Sequence, residues 1–188
     1  DQLLDVLRKL TWGAADILMA YARGVQPPYG FSSQLNVENS AEGPVSAADL
    51  AVNSWLLNGL KSEFPLAPWK LISEETSKEK SNGGAFSDSE WLWILDPLDG
   101  TKDFLAGTGE YAVHLALIRK HRPVLGIVLI PEREELWIGA LGMEAWCEGR
   151  NGNRKSFGFS NRKMLNDLIL VASRNHRDER LEQLIMKL

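Results

Sequence analysis

An α+β fold, with two N-terminal helices packed on a mainly antiparallel sheet as a layered α/β sandwich, is what this chain of 188 residues predicts. Three observations carry the prediction. Apolar residues recur at helical spacing up to Phe64, short apolar runs of strand length take over from Trp69, and turn residues separate neighbouring runs as in a meander. Helices segregated ahead of strands argue against a doubly wound Rossmann arrangement, in which the two would alternate.

In chain order, Leu3, Leu4, Val6, Leu7, Leu10, Ala14, Ala15, Ile17, Leu18 and Ala22 line one helical face, which stops at Gly24 before Pro27-Pro28. Residues Gln26–Gly43 are rich in Gly, Pro, Ser and Asn and lack a period, so they read as a long loop with a short strand near Leu35–Val37. A loop of that length inside a compact domain belongs among candidate lids. Ser46 is placed to cap a second helix, Ala47–Phe64, which Pro65 ends. Strands are expected at Trp69–Ser73, Trp91–Leu95, Tyr111–Arg119, Val124–Ile130, Leu136–Leu141, Glu144–Cys147 and Leu168–Ala172. His121-Arg122-Pro123 and Pro131-Glu132-Arg133 connect them as hairpins. Ser77–Ser89 reads as a polar loop, and Arg177–Leu188 has the spacing of a last helix.

Composition narrows the chemistry. A net charge of −4 and no long basic cluster make duplex nucleic acid a poor partner, while leaving room for a small anionic ligand. No apolar run reaches the length of a membrane span, which predicts a chain without membrane attachment. Cys147 is the only cysteine, which excludes an intrachain disulfide or a cysteine-rich zinc site and fits a reducing, cytoplasmic setting.

The densest chemical signal is Asp96-Pro97-Leu98-Asp99-Gly100-Thr101-Lys102-Asp103-Phe104, where a hydrophobic strand runs into three carboxylates set against one lysine. Such crowding is costly unless a cation or solvent compensates it. Pro97 stiffens the chain, Gly100 lets backbone N–H groups approach a ligand, and oxygen-only donors select Mg²⁺, Mn²⁺ or Ca²⁺ over Zn²⁺. The same residues are also ordinary turn formers, so a plain turn with solvated acids stands as the alternative. Glu74-Glu75 follows another strand, so Glu74 reaches Asp96 if the two strands are neighbours. Asp49 lies in the first turn of the second helix, where a carboxylate is favoured by the helix dipole alone. His114 reads as a packed or edge histidine, and His121 as a turn residue.

Pro44-Val45-Ser46-Ala47-Ala48-Asp49, Ser73-Glu74-Glu75-Thr76 and Asp96-Pro97-Leu98-Asp99-Gly100-Thr101, in that order and spacing, resemble the inositol monophosphatase superfamily of metal-dependent, lithium-sensitive phosphatases. Lys102 after Thr101, together with Gly109-Glu110-Tyr111, Pro123–Val128 and Val171–His176, is similar to its 3′(2′),5′-bisphosphate nucleotidase branch, which serves sulfur assimilation. The resemblance implies two or three Mg²⁺ ions, one held by Glu74, Asp96 and the Leu98 carbonyl and another by Asp96 and Asp99. It implies that Asp49 and Thr101 align the water, and that Leu98, Asp99, Gly100 and Thr101 cradle the scissile phosphate. Ser173, Arg174 and His176 match the stretch near the nucleotide, with Arg174 suited to the second phosphate; the same run also reads as a helix cap with a basic surface.

The implied reaction is removal of the 3′-phosphate of 3′-phosphoadenosine 5′-phosphate, or of its sulfated form, by a metal-activated water. An inositol or sugar monophosphatase on the same scaffold, or an inactive metal-binding module, are the alternatives. The resemblance implies that superfamily members continue beyond the equivalent of Leu188 and supply another metal-binding Asp from a Trp-Asp motif, whereas none of the seven Trp residues here is followed by Asp. The expectation is therefore an N-terminal portion, 1–165 holding helices and sheet and 166–188 opening a C-terminal subdomain. Its uncovered apolar surface predicts self-association, a homodimer among the forms it would take.

Overall fold

In the computed structural model, which describes residues 2–40, 43–75, 89–172 and 177–187, the first helix, α1, spans Gln2–Ala22. Leu7, Leu10, Ala14, Ile17, Leu18 and Tyr21 are buried at steps of three and four, as an amphipathic helix requires. Gly24 adopts φ +64°, and the bonds Val25 N–H to Ala20 O and Gly24 N–H to Tyr21 O close the helix in the glycine-terminated pattern that left-handed residues permit. Helix α2 (Ala47–Glu63) begins at Ser46 with a reciprocal capping box to Asp49 and ends at Phe64, before Pro65. The two helices meet where side chains are missing. A Cβ on Gly13 would lie 2.6 Å from the Trp55 ring, and one on Gly59 would strike Leu10. Trp55 fills the gap and donates its Nε1–H to the Leu10 carbonyl at 2.8 Å.

Under the helices lies a seven-stranded sheet in sequence order: β3 (Trp69–Ser73), β4 (Trp91–Asp99), β5 (Ala112–Arg119), β6 (Arg122–Ile130), β7 (Glu135–Ala140), β8 (Ala145–Glu148) and β9 (Arg154–Phe157). Only the β3–β4 pair is parallel; the others are antiparallel. Alternation assigns the faces. Trp93, Leu95, Val113, Leu115, Leu117, Ile127, Leu129 and Ile138 join the buried core with the helices, while Ile94, His114, Ala116 and Val128, of opposite parity, are only half-buried or exposed. Each large core side chain contributes about 1.5–3 kcal/mol by leaving water.

Several expectations need correction. The short strand expected near Leu35–Val37 lies slightly later, as β1 (Val37–Ser40), and pairs with β2 (Gly43–Ser46), Val37 opposite Ser46, in a separate two-stranded ribbon. The first part of the Gln26–Gly43 loop is tied to the helices by Tyr21 Oη–H to Ser32 O at 2.7 Å and by stacking of Tyr29 on Trp55 at 3.9 Å. Leu168–Ala172 is not a strand; it follows the 3₁₀ turn Leu165–Asp167 without ladder partners among the described residues, and an apolar run alone does not make a strand without a neighbour to pair with. Conversely β9, polar and exposed, is held by pairing to β8 and escaped a hydrophobicity reading. Pro131–Arg133 forms a 3₁₀ turn rather than a bare hairpin.

The chain divides into two compact units, Asp1–Phe157 and Gly158–Leu188. The second contains helix α4 (Glu179–Ile185), capped by the Asp178 side chain on Leu181 N–H at 2.8 Å. No helix among the described residues is long and apolar enough to cross a membrane.

Candidate active site

The parallel register of β3 and β4 sets Ser73 opposite Leu95, so Glu74, just past the end of β3, comes beside Asp96 within β4. Between Asp96 and Asp99 the β4–β5 ladder loses register, because β4 carries one residue more than β5 between the paired positions Asp96–His114 and Asp99–Ala112. Pro97 has no N–H for the ladder, which makes this the natural place for a bulge. The chain then turns at Gly100, φ +88°, into the short helix α3 (Thr101–Leu105). A Cβ on Gly100 would stand 2.9 Å from the Glu110 carbonyl, so both the dihedral and the close approach of Glu110-Tyr111 demand glycine. Gly100→Ala is expected to lower stability by about 2 kcal/mol, one part strain and one part clash, measurable as a fall in thermal midpoint.

Asp96 feels three neighbours. Burial first, then the charges of Glu74 and Asp99, push its carboxyl up to about 7 against the lowering effect of the Leu98 N–H, 3.2 Å from Oδ1. A carboxylate held at such cost is one that a cation would relieve. The donors, Glu74, Asp96, Asp99 and the Leu98 carbonyl, are all oxygens, the set that hard divalent ions take, so the residues present fit such an ion. Among the described residues no three His, Cys, Asp or Glu side chains are already gathered to hold a metal. The acids are near enough to repel.

Beside them stands a second, neutral-facing array. Asp49 is 2% exposed, and its Oδ2 accepts both the Ser46 N–H at 2.7 Å and the Ser46 Oγ–H at 2.6 Å. Its other oxygen, Oδ1, accepts from Thr101 Oγ1 at 3.0 Å, and Thr101 also lies 3.1 Å from the Leu98 carbonyl. Desolvation raises the Asp49 pKa, and these donors work against the rise. Asp49 is thus both a helix cap and a partner of Thr101: one oxygen serves the fold, the other the cluster. Thr101→Val would leave Asp49 Oδ1 buried without that donor, which is expected to cost about 1–3 kcal/mol of stability, read as a fall in thermal midpoint.

Of the residues singled out in the sequence, the structure brings Asp49, Glu74, Asp96, Leu98, Asp99, Gly100 and Thr101 to one end of the sheet. Ser173, Arg174 and His176 lie outside the described residues. His114 is neither packed nor at an edge. It occupies a central strand opposite Asp96, with Nδ1 4.0 Å from Asp96 Oδ2 and Nε2 3.9 Å from Asp99 Oδ2. Parity was the signal that could have found it, since Val113, Leu115 and Leu117 claim the core side and leave His114 on the acid side.

The chain matches the inositol monophosphatase family over residues 1–187 and belongs to that family. It is 32% identical to the 3′(2′),5′-bisphosphate nucleotidase CysQ of Escherichia coli strain K12 in an alignment of 189 positions that covers 99% of this chain and 69% of that protein. Among solved structures it is similar to the IMPase of Thermotoga maritima, with TM-score 0.62 and 25% identity over 80% of this chain. It is also similar to an IMPase/NADP phosphatase complexed with Mg²⁺ and phosphate, with TM-score 0.53 and 26% identity over 61% of this chain. The chain spans 52% and 42% of those two proteins, and so about half their length.

Proposed function

We propose that this chain carries the metal- and water-positioning half of a phosphoric monoester hydrolase that removes the 3′-phosphate of 3′-phosphoadenosine 5′-phosphate or its sulfated form. The observation that carries the reading is the juxtaposition of the crowded carboxyl of Asp96 with the Asp49–Thr101 hydrogen bond. Glu74, Asp96 and the Leu98 carbonyl would hold one divalent ion and Asp96 with Asp99 another. When bound, such ions neutralise phosphoryl oxygens and acidify a water, which removes the need for a side-chain nucleophile.

The remaining work falls to the chain. Asp49 Oδ1 accepts the Thr101 hydroxyl proton, which turns a lone pair of Thr101 Oγ1 outward to accept a hydrogen from the attacking water and fix its direction. Ser46 keeps Asp49 from rotating away, since two bonds to Oδ2 lock the carboxylate plane. Gly100 allows the backbone N–H groups at the start of α3 to approach the scissile phosphate closely. Arg174, with Ser173 and His176, would meet the second phosphate of the nucleotide; the motif alone supports that part.

The nucleotide is favoured by Lys102 after Thr101 and by the likeness to the CysQ nucleotidase. The test is phosphate release from 3′-phosphoadenosine 5′-phosphate and from inositol 1-phosphate, with Mg²⁺ and with EDTA. Mg²⁺-dependent release that prefers the nucleotide is expected. Preference for inositol 1-phosphate would replace the substrate, and no release from either, by a chain that binds Mg²⁺, would leave a metal-binding module.

A further inference from the structure

The non-core face of β5 places one nitrogen donor among the acids, and the reaction described above gives it no task. His114 is paired with Asp96 across the β4–β5 ladder. Its side chain is 41% exposed, so it is not part of the core, and each ring nitrogen faces a different carboxylate: Nε2 towards Asp99 Oδ2 at 3.9 Å and Nδ1 towards Asp96 Oδ2 at 4.0 Å. Both gaps are too long for hydrogen bonds. They are not too long for a shared ion. Two donors each about 2.1 Å from one cation can stand at most about 4.2 Å apart, so either gap is spanned by an ion without moving the backbone.

We propose that His114 Nε2 is a ligand of the ion held by Asp99, with Nδ1–H turned to Asp96. A metal-bound imidazole whose second ring nitrogen faces a carboxylate is the arrangement that fixes tautomer and ring orientation in histidine metal sites. The inference deepens the proposed reading and rests on it. Its consequence is selectivity. An imidazole nitrogen suits Co²⁺ and Zn²⁺ best, and Mn²⁺, though itself an oxygen-preferring ion, tolerates it better than Mg²⁺, which gives up its waters reluctantly. The position beside Asp99 is therefore shifted from Mg²⁺ towards Mn²⁺ and the later divalent ions, while the position at Glu74 keeps an all-oxygen set.

The experiment is calorimetric titration of the chain with Mn²⁺ and, separately, with Mg²⁺, for the parent and for His114→Ala and Asp99→Asn, with circular dichroism as the check on folding. Pulsed electron paramagnetic resonance of the Mn²⁺-loaded samples accompanies it. His114→Ala is expected to weaken Mn²⁺ binding roughly tenfold and Mg²⁺ binding less than about twofold, and to abolish a directly coordinated ¹⁴N coupling present in the parent. Equal losses for both ions, or no ¹⁴N coupling in a Mn²⁺-loaded parent, overturn the assignment while leaving the metal-dependent reading intact. Tighter binding in His114→Ala also overturns it, because the imidazole would then be standing in the ion's place. If neither ion binds the folded parent and Asp99→Asn changes nothing, the proposed function falls together with the assignment.

Discussion

Asp96→Asn is expected to abolish Mg²⁺-dependent phosphate release, by about 10³-fold or roughly 4 kcal/mol of transition-state stabilisation, while leaving the protein folded. The two halves of that expectation have one cause. Asp96 is the group that both proposed ions share, so loss of its charge weakens both. The same charge is what burial, Glu74 and Asp99 oppose, having pushed the carboxyl up to about 7. An amide at this position removes the repulsion and keeps one oxygen for the Leu98 N–H. Without metal, the variant is expected to match the parent's stability or exceed it by about 1 kcal/mol, since functional carboxylates are commonly held at a cost to the fold. Phosphate release and urea unfolding on the same preparation check both parts. Release within tenfold of the parent would remove Asp96 from the metal-binding role.

The largest effect on the fold itself is expected far from that cluster. Glu148, at the end of β8, is 2% exposed, accepts from Arg8 Nε at 2.6 Å and Trp146 Nε1 at 2.7 Å, and forms an ion pair with Arg154 Nε at 3.0 Å. Arg8 belongs to α1, so this carboxylate ties the first helix to the last strands of the sheet. Glu148→Ala leaves the Arg8 guanidinium and the Trp146 N–H facing a buried gap. Removing one member of a buried ion pair costs about 3–5 kcal/mol, and the partial exposure of Arg8 puts this case near the lower end. A fall in thermal midpoint of roughly 6–12 °C follows for a chain of this size. Arg154→Ala, which removes a half-exposed partner, is expected to cost under about 1 kcal/mol. Differential scanning calorimetry of the two variants distinguishes them; similar midpoints would mean that Glu148 is better hydrated than its burial indicates.

Much of the site was legible in one dimension because its parts are local. Asp96, Leu98, Asp99, Gly100 and Thr101 lie in one turn, and Pro97 and Gly100 announce the bulge and the left-handed turn by their own backbone chemistry. Ser46 was legible as the cap of the second helix, whereas the reciprocal bond from Asp49 that completes a capping box came only from the structure. The helices and the alternating strands β4 to β7 were equally readable, because each carries its own period. What escaped lacked a local signal. Strand β9 is mostly polar, with Phe157 its one apolar residue, and has no hydrophobic alternation of its own to mark it beside the ladder that β8 offers, while Leu168–Ala172 is apolar and is not a strand because no ladder is offered among the described residues.

The sequence by itself determined which residues can do chemistry and which elements bear them: the acid turn after a strand, the capped helix, the second acid at another strand's end. Only the tertiary structure decided how those ends are arranged. That β3 lies parallel to β4 with Ser73 opposite Leu95, that Thr101 donates to the free oxygen of the Asp49 cap, and that His114 stands between Asp96 and Asp99 all depend on strand order and register. Register is set by the sum of many cross-strand contacts over the whole sheet, and a slip of one residue would turn His114 into the core and Leu115 onto the acids.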